Sequence, residues 1–409
     1  MELWKIPDSM AAYFIFAATY IVLAAGRFPG LRIDRTGASI VGASFMVAFG
    51  VLGFGEALQA VDWPTIVLLL GMMIVVANLR LSGFFRATSA FVVRQAHGPK
   101  TLLAGIILVT GVFSAFFVND TMCIVMTPLV LEVTLALGRN PVPYLLAVAM
   151  SANAGSVATV TGNPQNMLIG SLSHLSYRLF VWKLAPVAVV SLLLTWIVLV
   201  AFYRAEFRGK AFIQVDSLRV RVNAPLLWKS LAVAVGMVAC FFAGWPVAQV
   251  AIVAGALLLI TRRVKPEKVY HEIDWPLLAL FAGLFIVVSG VEKTSLDADL
   301  FRLASQFGLH HVSVLTLFSA LLSNIVSNVP AVLLFRPVMT HLADPARGWL
   351  TLAMATTLAG NFTILGSVAN LIVVQRARRE VKIGFWEYFR AGSVLTILTL
   401  VFGAWWMGI

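Results

Sequence analysis

The chain has 409 residues, 60% hydrophobic and 12% charged, with a mean hydropathy of +0.93 and a formal net charge of +12. Soluble domains carry about 25% charged residues, so a water-surrounded globular fold is excluded. Apolar blocks long enough for a bilayer crossing, about 20 residues, recur from end to end and predict an all-α polytopic membrane protein. The basic excess does not point to nucleic acid, because Lys and Arg sit in short connectors between the apolar blocks, where they act as topology signals. Residues 1–10 lack the basic region and small-residue cleavage site of a secretory signal. Cys123 and Cys240 lie singly in apolar segments, which argues against a disulfide framework or a zinc site.

In chain order, crossings are predicted at 10–26, 36–55 and 63–79. An apolar stretch at 101–137, broken by polar residues and proline, follows, and then crossings at 144–170 and 184–203. The polar connector 204–229 divides the chain. Beyond it come crossings at 230–245, 246–261 and 275–291, a second broken stretch at 312–342, and crossings at 349–373 and 390–408. The broken stretches are read as re-entrant helical hairpins. With that reading, connectors 27–35, 80–100, 138–143, 204–229, 262–274 and 375–390 share one side and hold 23 of the 30 Lys and Arg. That bias makes the side cytoplasmic and puts both termini outside. The other seven are Lys5, Arg178, Lys183, Lys293, Arg302, Arg336 and Arg347.

The two halves read as copies. "DWPTIVLLLGMMIVV" (62–76) matches "DWPLLALFAGLFIVV" (274–288), "VNDTMCIVMTP" (118–128) parallels "SNVPAVLLFRP" (327–337), and "TGNPQNMLIG" (161–170) parallels "LGSVANLIVV" (365–374). Each copy, 1–203 and 230–409, has five crossings and one hairpin. Five is odd, so the second copy enters the membrane inverted, the arrangement of many secondary transporters.

Four helix breaks follow, at Val118–Thr121, Gly162–Asn166, Ser327–Pro330 and Gly366–Asn370. A break facing lipid strands backbone groups at several kcal/mol each, so breaks persist only around protein or a wet cavity. Their carbonyls and Asn, Ser and Thr oxygens suit Na⁺ or a proton-carrying water, and the restarting helices aim positive dipole ends inward at an anion. Asp120 is a carboxylate in an apolar segment, which is costly and functional by default. It is the candidate coupling group, the plainer alternative being a cap on the helix restarting at Thr121. Its counterpart is Val329, so only one copy carries an acid. Arg336 either attracts an anion or, more plainly, snorkels to the outer face. Glu132 caps or snorkels, and His310 and His311 are read as solvated.

"FFVNDTMCIVMTPLVLEV", "TGNPQN", "SNIVSNVPAVLLF" and "LAGNFTILGSVANLIV" resemble the ion-transporter superfamily over residues 36–408. The likeness is to its arsenite-permease and NhaD-type sodium/proton antiporter branch, including anion transporters, and more distantly to the divalent-anion/sodium symporters. The resemblance implies substrate and ion sites at Asn119, Thr121, Asn163, Asn166, Ser327, Asn328, Ser367 and Asn370, with Na⁺ expected at Asn119, Asn163, Asn328 and Asn370. Gly162, Pro164, Pro330 and Gly366 complete those turns, and Asn361 is placed near the cavity. The symporters carry Ser-Asn-Thr at each hairpin tip. The Asp at tip one and the Val at tip two here favour a proton or a single cation over two sodium ions. The resemblance also implies a homodimer and allows an ATPase partner in trans, since the chain has no Walker motif.

The function expected is ion-coupled secondary transport of a small anion or metalloid oxyacid such as arsenite across the inner membrane, with no cofactor beyond H⁺ or Na⁺. The alternative is a sodium/proton antiporter; a dicarboxylate symporter or a channel fits less well. An intramembrane enzyme lacks its nucleophile, its acid pair and its metal motif.

Overall fold

The computed structural model describes residues 8–25, 33–208, 222–294 and 306–409. These are helical with no strand among them. The first half runs through α1 (Asp8–Ala25), α2 (Arg35–Ala48), α3 (Phe54–Ala60), α4 (Trp63–Ser82) and α5 (Phe84–Gln95). The hairpin arms α6 (Pro99–Phe116) and α7 (Asn119–Ala136) follow, then α8 (Pro141–Ser156), α9 (Pro164–Ser173) and α10 (Tyr177–Phe202). After the short α11 (Arg204–Phe207) the second half gives α12 (Ala224–Phe242), α13 (Val247–Leu259), α14 (Pro266–Tyr270) and α15 (Trp275–Glu292). It closes with the arms α16 (Val312–Val326) and α17 (Asn328–Met339), then α18 (Pro345–Ala359), α19 (Val368–Ala377) and α20 (Phe385–Gly408).

Local chemistry sets these boundaries. In each DWP motif the aspartate is the N-cap: Asp62 accepts from the Thr65 amide and Asp274 from that of Leu277, with proline in the first turn. Proline there has a preset φ and no amide proton to waste. Asn140 and Asp344 repeat the device ahead of Pro141 and Pro345. At about 1.5 Å per residue, α16 and α17, with 15 and 12 residues, are too short for a core about 30 Å thick. They form a re-entrant pair. The arms of hairpin one have 18 residues each, and the depth of their tip is fixed by its contact with the gap between α8 and α9.

The two copies run in opposite directions. Helices α4 and α15 begin with the same DWP motif, yet Arg80 at the end of α4 forms an ion pair with Glu272 just before α15. At their other ends Glu56, before α4, lies 2.6 Å from Lys293, after α15. That lysine and the Gly53 amide hold the Glu56 carboxyl below the usual range. The start of one helix therefore sits by the end of its twin. The packing repeats the symmetry: α4 crosses α13, and α15 crosses α2. Gly71 and Gly283, 212 residues apart, occupy the crossings. A Cβ at Gly71 would lie 2.5 Å from the Ala251 carbonyl carbon, and one at Gly283 would lie 2.7 Å from the Ser39 carbonyl oxygen. Ser39 and Ala251 are also 212 residues apart.

Some expectations need correction. Connector 80–100 contains the amphipathic helix α5, turned off α4 by Gly83 in a left-handed conformation (φ 86°). Crossings 144–170 and 349–373 are broken as expected, each into two helices separated by a 3₁₀ turn, at Val160–Gly162 and Ile364–Gly366. Asp120 caps nothing: Val118 is the N-cap residue of α7, and no side-chain hydrogen bond closes that end. Arg336 forms an ion pair with Glu292 at 3.6 Å. His310 and His311 are exposed, as is Glu132. Half of linker 204–229 (209–221) and most of connector 27–35, with Lys5 and Arg302, lie outside the described residues.

Candidate substrate site at the helix breaks

Both broken helices are built alike, residue for residue, at a spacing of 204. Asn166, in the first turn of α9, donates from Nδ2 to the carbonyls of Ser156 and Thr159, at 3.0 Å each. Its twin Asn370, in the first turn of α19, donates to Gly360 and Thr363, at 2.6 and 2.9 Å. One amide thus satisfies two carbonyls that the α-helix has released. The N-caps are twins too: Asn163 accepts from the Asn166 amide at 2.8 Å, and Ser367 from the Ala369 amide at 3.2 Å. The glycines close the turns. A Cβ at Gly162 would lie 2.1 Å from the Ser156 oxygen, and one at Gly366 would lie 3.0 Å from that of Gly360.

The halves are tied together at this level. Asn163 Nδ2 donates to Thr357 Oγ1 at 3.2 Å, and by symmetry Ser367 Oγ donates to Asn153 Oδ1 at 3.0 Å. Asn153 is the hub of the second cluster: its Nδ2 reaches Asn361 Oδ1 (2.9 Å) and Asn370 Oδ1 (3.1 Å), and it accepts from Asn119 Nδ2 at 3.1 Å. Asn361 also donates to the Met150 carbonyl at 3.1 Å. On the other side Gln165 donates to Thr357 at 3.1 Å. All these side chains are buried. The tip of hairpin one is therefore held against the end of α8, beside the break that precedes α9.

In front of this network lies a cavity of about 80 Å³. The starts of four helices edge it: Asn119 and Asp120 of α7, Pro164 and Gln165 of α9, Asn328 to Pro330 of α17, and Val368 of α19. The N-caps Ser327 and Ser367 line it as well. Ser327 adopts φ 80°, a left-handed backbone unusual for a residue with a Cβ, and it turns the second tip sharply. Asn328 Oδ1 accepts from Ser323 at 2.6 Å. Asn119 Oδ1, 3% exposed as a residue, has no hydrogen-bond partner. No hydrogen bond or ion pair links the Asp120 carboxylate to another described residue. Val329 lines the same cavity, so the two tips converge with one acid between them. Each helix start turns unpaired amides and partial positive charge toward this space.

Of the residues expected here, Asn119, Asp120, Pro164, Ser327, Asn328, Pro330 and Ser367 line the cavity. Gly162, Asn163, Asn166, Asn361, Gly366 and Asn370 stand behind it as its hydrogen-bonded wall. Thr121 does neither: it is half-buried in the first turn of α7 and is absent from the lining. Sequence reading missed Asn153, Thr357, Gln165 and Arg35, the last of which lines the cavity from α2.

Residues 13–359 match the citrate transporter family (CitMHS). The chain belongs to this family. It is 29% identical to the silicon efflux transporter LSI3 of Oryza sativa subsp. japonica, over 98% of each chain. It is 24% identical to the putative transporter arsB of Dictyostelium discoideum, over 98% of this chain and 93% of that one. The crystal structure of the YdaH transporter of Alcanivorax borkumensis, described as having an unusual topology, shares its fold. The TM-score is 0.60 at 14% identity, over 99% of this chain and 97% of that one. The protein is therefore a membrane transporter and not an enzyme.

Proposed function

We propose that the protein moves a small oxyacid of the arsenite or silicic acid kind by alternating access, coupled to a proton carried on Asp120. The observation that carries this reading is the cavity itself, where four helix starts and a single carboxylate enclose about 80 Å³. About 10–15 Å³ of space reachable by a water-sized sphere holds one water, so that volume admits a solute of a few heavy atoms. The names of the silicon efflux and arsB relatives fit such a cargo. Helix starts at mid-membrane breaks are a known way to hold anionic or oxygen-rich groups.

The same geometry weighs the proton over sodium. Four released carbonyls that could ligate Na⁺ already accept from Asn166 and Asn370, whereas the Asp120 carboxylate is unengaged. In this reading 1–203 and 230–409 are the repeats joined by 204–229, and the basic connectors lie in the cytoplasm with the termini outside. The hairpins and broken helices move as one body against α1, α2, α4, α12, α13 and α15.

The test is arsenite and silicic acid flux in everted vesicles under an imposed pH gradient. Wild type should move the solute and dissipate the gradient together. Asp120→Asn should uncouple the two while the protein stays folded. Unchanged coupled flux in that variant sinks the proton role. Flux of Na⁺ against H⁺ with no oxyacid movement supports the antiporter instead.

A further inference from the structure

The cavity contains one group that neither the family resemblance nor the proposed coupling uses. Arg35 is the first residue of α2. Its Nε donates to the Leu23 carbonyl at 3.2 Å, and the half-buried side chain lines the cavity that Asp120 also lines. No described carboxylate forms an ion pair with it, although Arg80, Arg139, Lys293, Arg336 and Arg347 all have one. Outside the cavity two exposed acids are engaged in capping, Asp34 on α2 beside Arg35 and Asp274 on α15. Asn119 lines the same space, and its side-chain oxygen is buried and unpartnered. A guanidinium left unpaired in a low-dielectric site is costly, and an arginine bound along one edge keeps its other donors in a rigid fork.

Resting on the oxyacid reading above, and narrowing its cargo to an oxyacid that enters ionised, we propose that Arg35 is the specificity-determining residue of the cavity. Its fork takes the oxygen edge of a planar or tetrahedral monovalent oxyanion while the Asn119 oxygen accepts a hydroxyl of the same solute. Charge counting supports the assignment. The empty cavity balances one guanidinium against one carboxylate. An entering oxyanion adds a second negative charge, and the balance returns when a proton settles on Asp120 and Arg35 becomes the countercharge of the solute. Arginine suits this better than lysine because two parallel N–H bonds match two oxygens of one acid.

The experiment measures thermal stabilisation of the purified full-length protein by formate, nitrite, bicarbonate, dihydrogen phosphate, chloride and neutral boric acid. Wild type should be protected by at least one oxyanion in preference to chloride. Arg35→Gln should weaken that oxyanion by about 10- to 100-fold, the worth of a charged hydrogen-bond pair, with boric acid changed less than threefold. Arg35→Lys, which keeps the charge and guards against a misfolded Gln variant, should bind oxyanion and chloride about equally. Oxyanion affinity within twofold of wild type in Arg35→Gln, or an undiminished oxyanion preference in Arg35→Lys, overturns the assignment. If only boric acid protects wild type, the Arg35 proposal falls while oxyacid transport stands. If nothing on the panel protects and the vesicles move no oxyacid, both fall.

Discussion

Replacing Asn370 with alanine removes the one group that serves both released carbonyls of the second break. Nδ2 is 2.6 Å from the Gly360 oxygen and 2.9 Å from that of Thr363, and the break is buried around it. An isolated side-chain hydrogen bond between membrane helices averages only about 0.6 kcal/mol, because the loosened state finds other partners. Carbonyls on non-helical backbone at mid-membrane have no such alternative. Thr363 still accepts from the Gly366 amide at 3.1 Å, so only the Gly360 oxygen is stranded. A stranded acceptor costs about 1–3 kcal/mol, and Asn370→Ala should lose about that much. Asn153 Nδ2 loses one of its two acceptors but keeps Asn361. Asn166→Ala removes the same pair of bonds at the first break. It leaves Ser156 and Thr159 only the longer bonds from Asn163 Nδ2 and the Gly162 amide, 3.4 Å each, and should match Asn370→Ala to within about 1 kcal/mol. The assay is reversible unfolding in mixed micelles titrated with a denaturing detergent. A loss near 0.6 kcal/mol for Asn370→Ala refutes the claim that this amide is what keeps the break closed. A large difference between the two variants refutes the equivalence of the breaks.

Two further outcomes follow from the packing. Gly71→Ala and Gly283→Ala each push a Cβ into the backbone of the crossing helix and should each cost about 1–3 kcal/mol in the same titration; a neutral effect at either crossing contradicts the close approach. In a background where Cys123 and Cys240 are replaced, single cysteines at Arg80 and Glu272 should be labelled by an impermeant reagent from one side. Those at Glu56 and Lys293 should be labelled from the other. Labelling of Arg80→Cys and Glu56→Cys from the same side would deny that α4 crosses the membrane.

Much of the fold was legible because the strongest local signals coincide with its turning points. Aspartate before Trp-Pro starts both α4 and α15, and Asn or Asp before proline starts α8 and α18. The polar interruptions near Asn119 and Asn328 mark both hairpin tips. Asn153 escaped notice because it sits among small residues, "SANAGS", inside an unbroken helix, where an asparagine has no local signature. Its twin Thr357 is equally plain. Applying the 204-residue spacing to every polar position of the break would have paired them. Arg35 was absorbed into a count of topology charges, since a one-dimensional reading cannot distinguish an arginine facing lipid headgroups from one turned toward a cavity. Thr121 is the opposite case: it belongs to a motif, yet from the first turn of α7 it does not line the cavity.

The bonds from Asn163 to Thr357 and from Ser367 to Asn153 join residues from opposite ends of the chain. Neither stretch of polypeptide can therefore finish its own polar interior, and a fragment ending ahead of α12 would expose orphaned amides to the acyl chains. Synthesis must deliver the last helices before the first ones can settle. Two separately expressed pieces should recover activity only when made in the same cell.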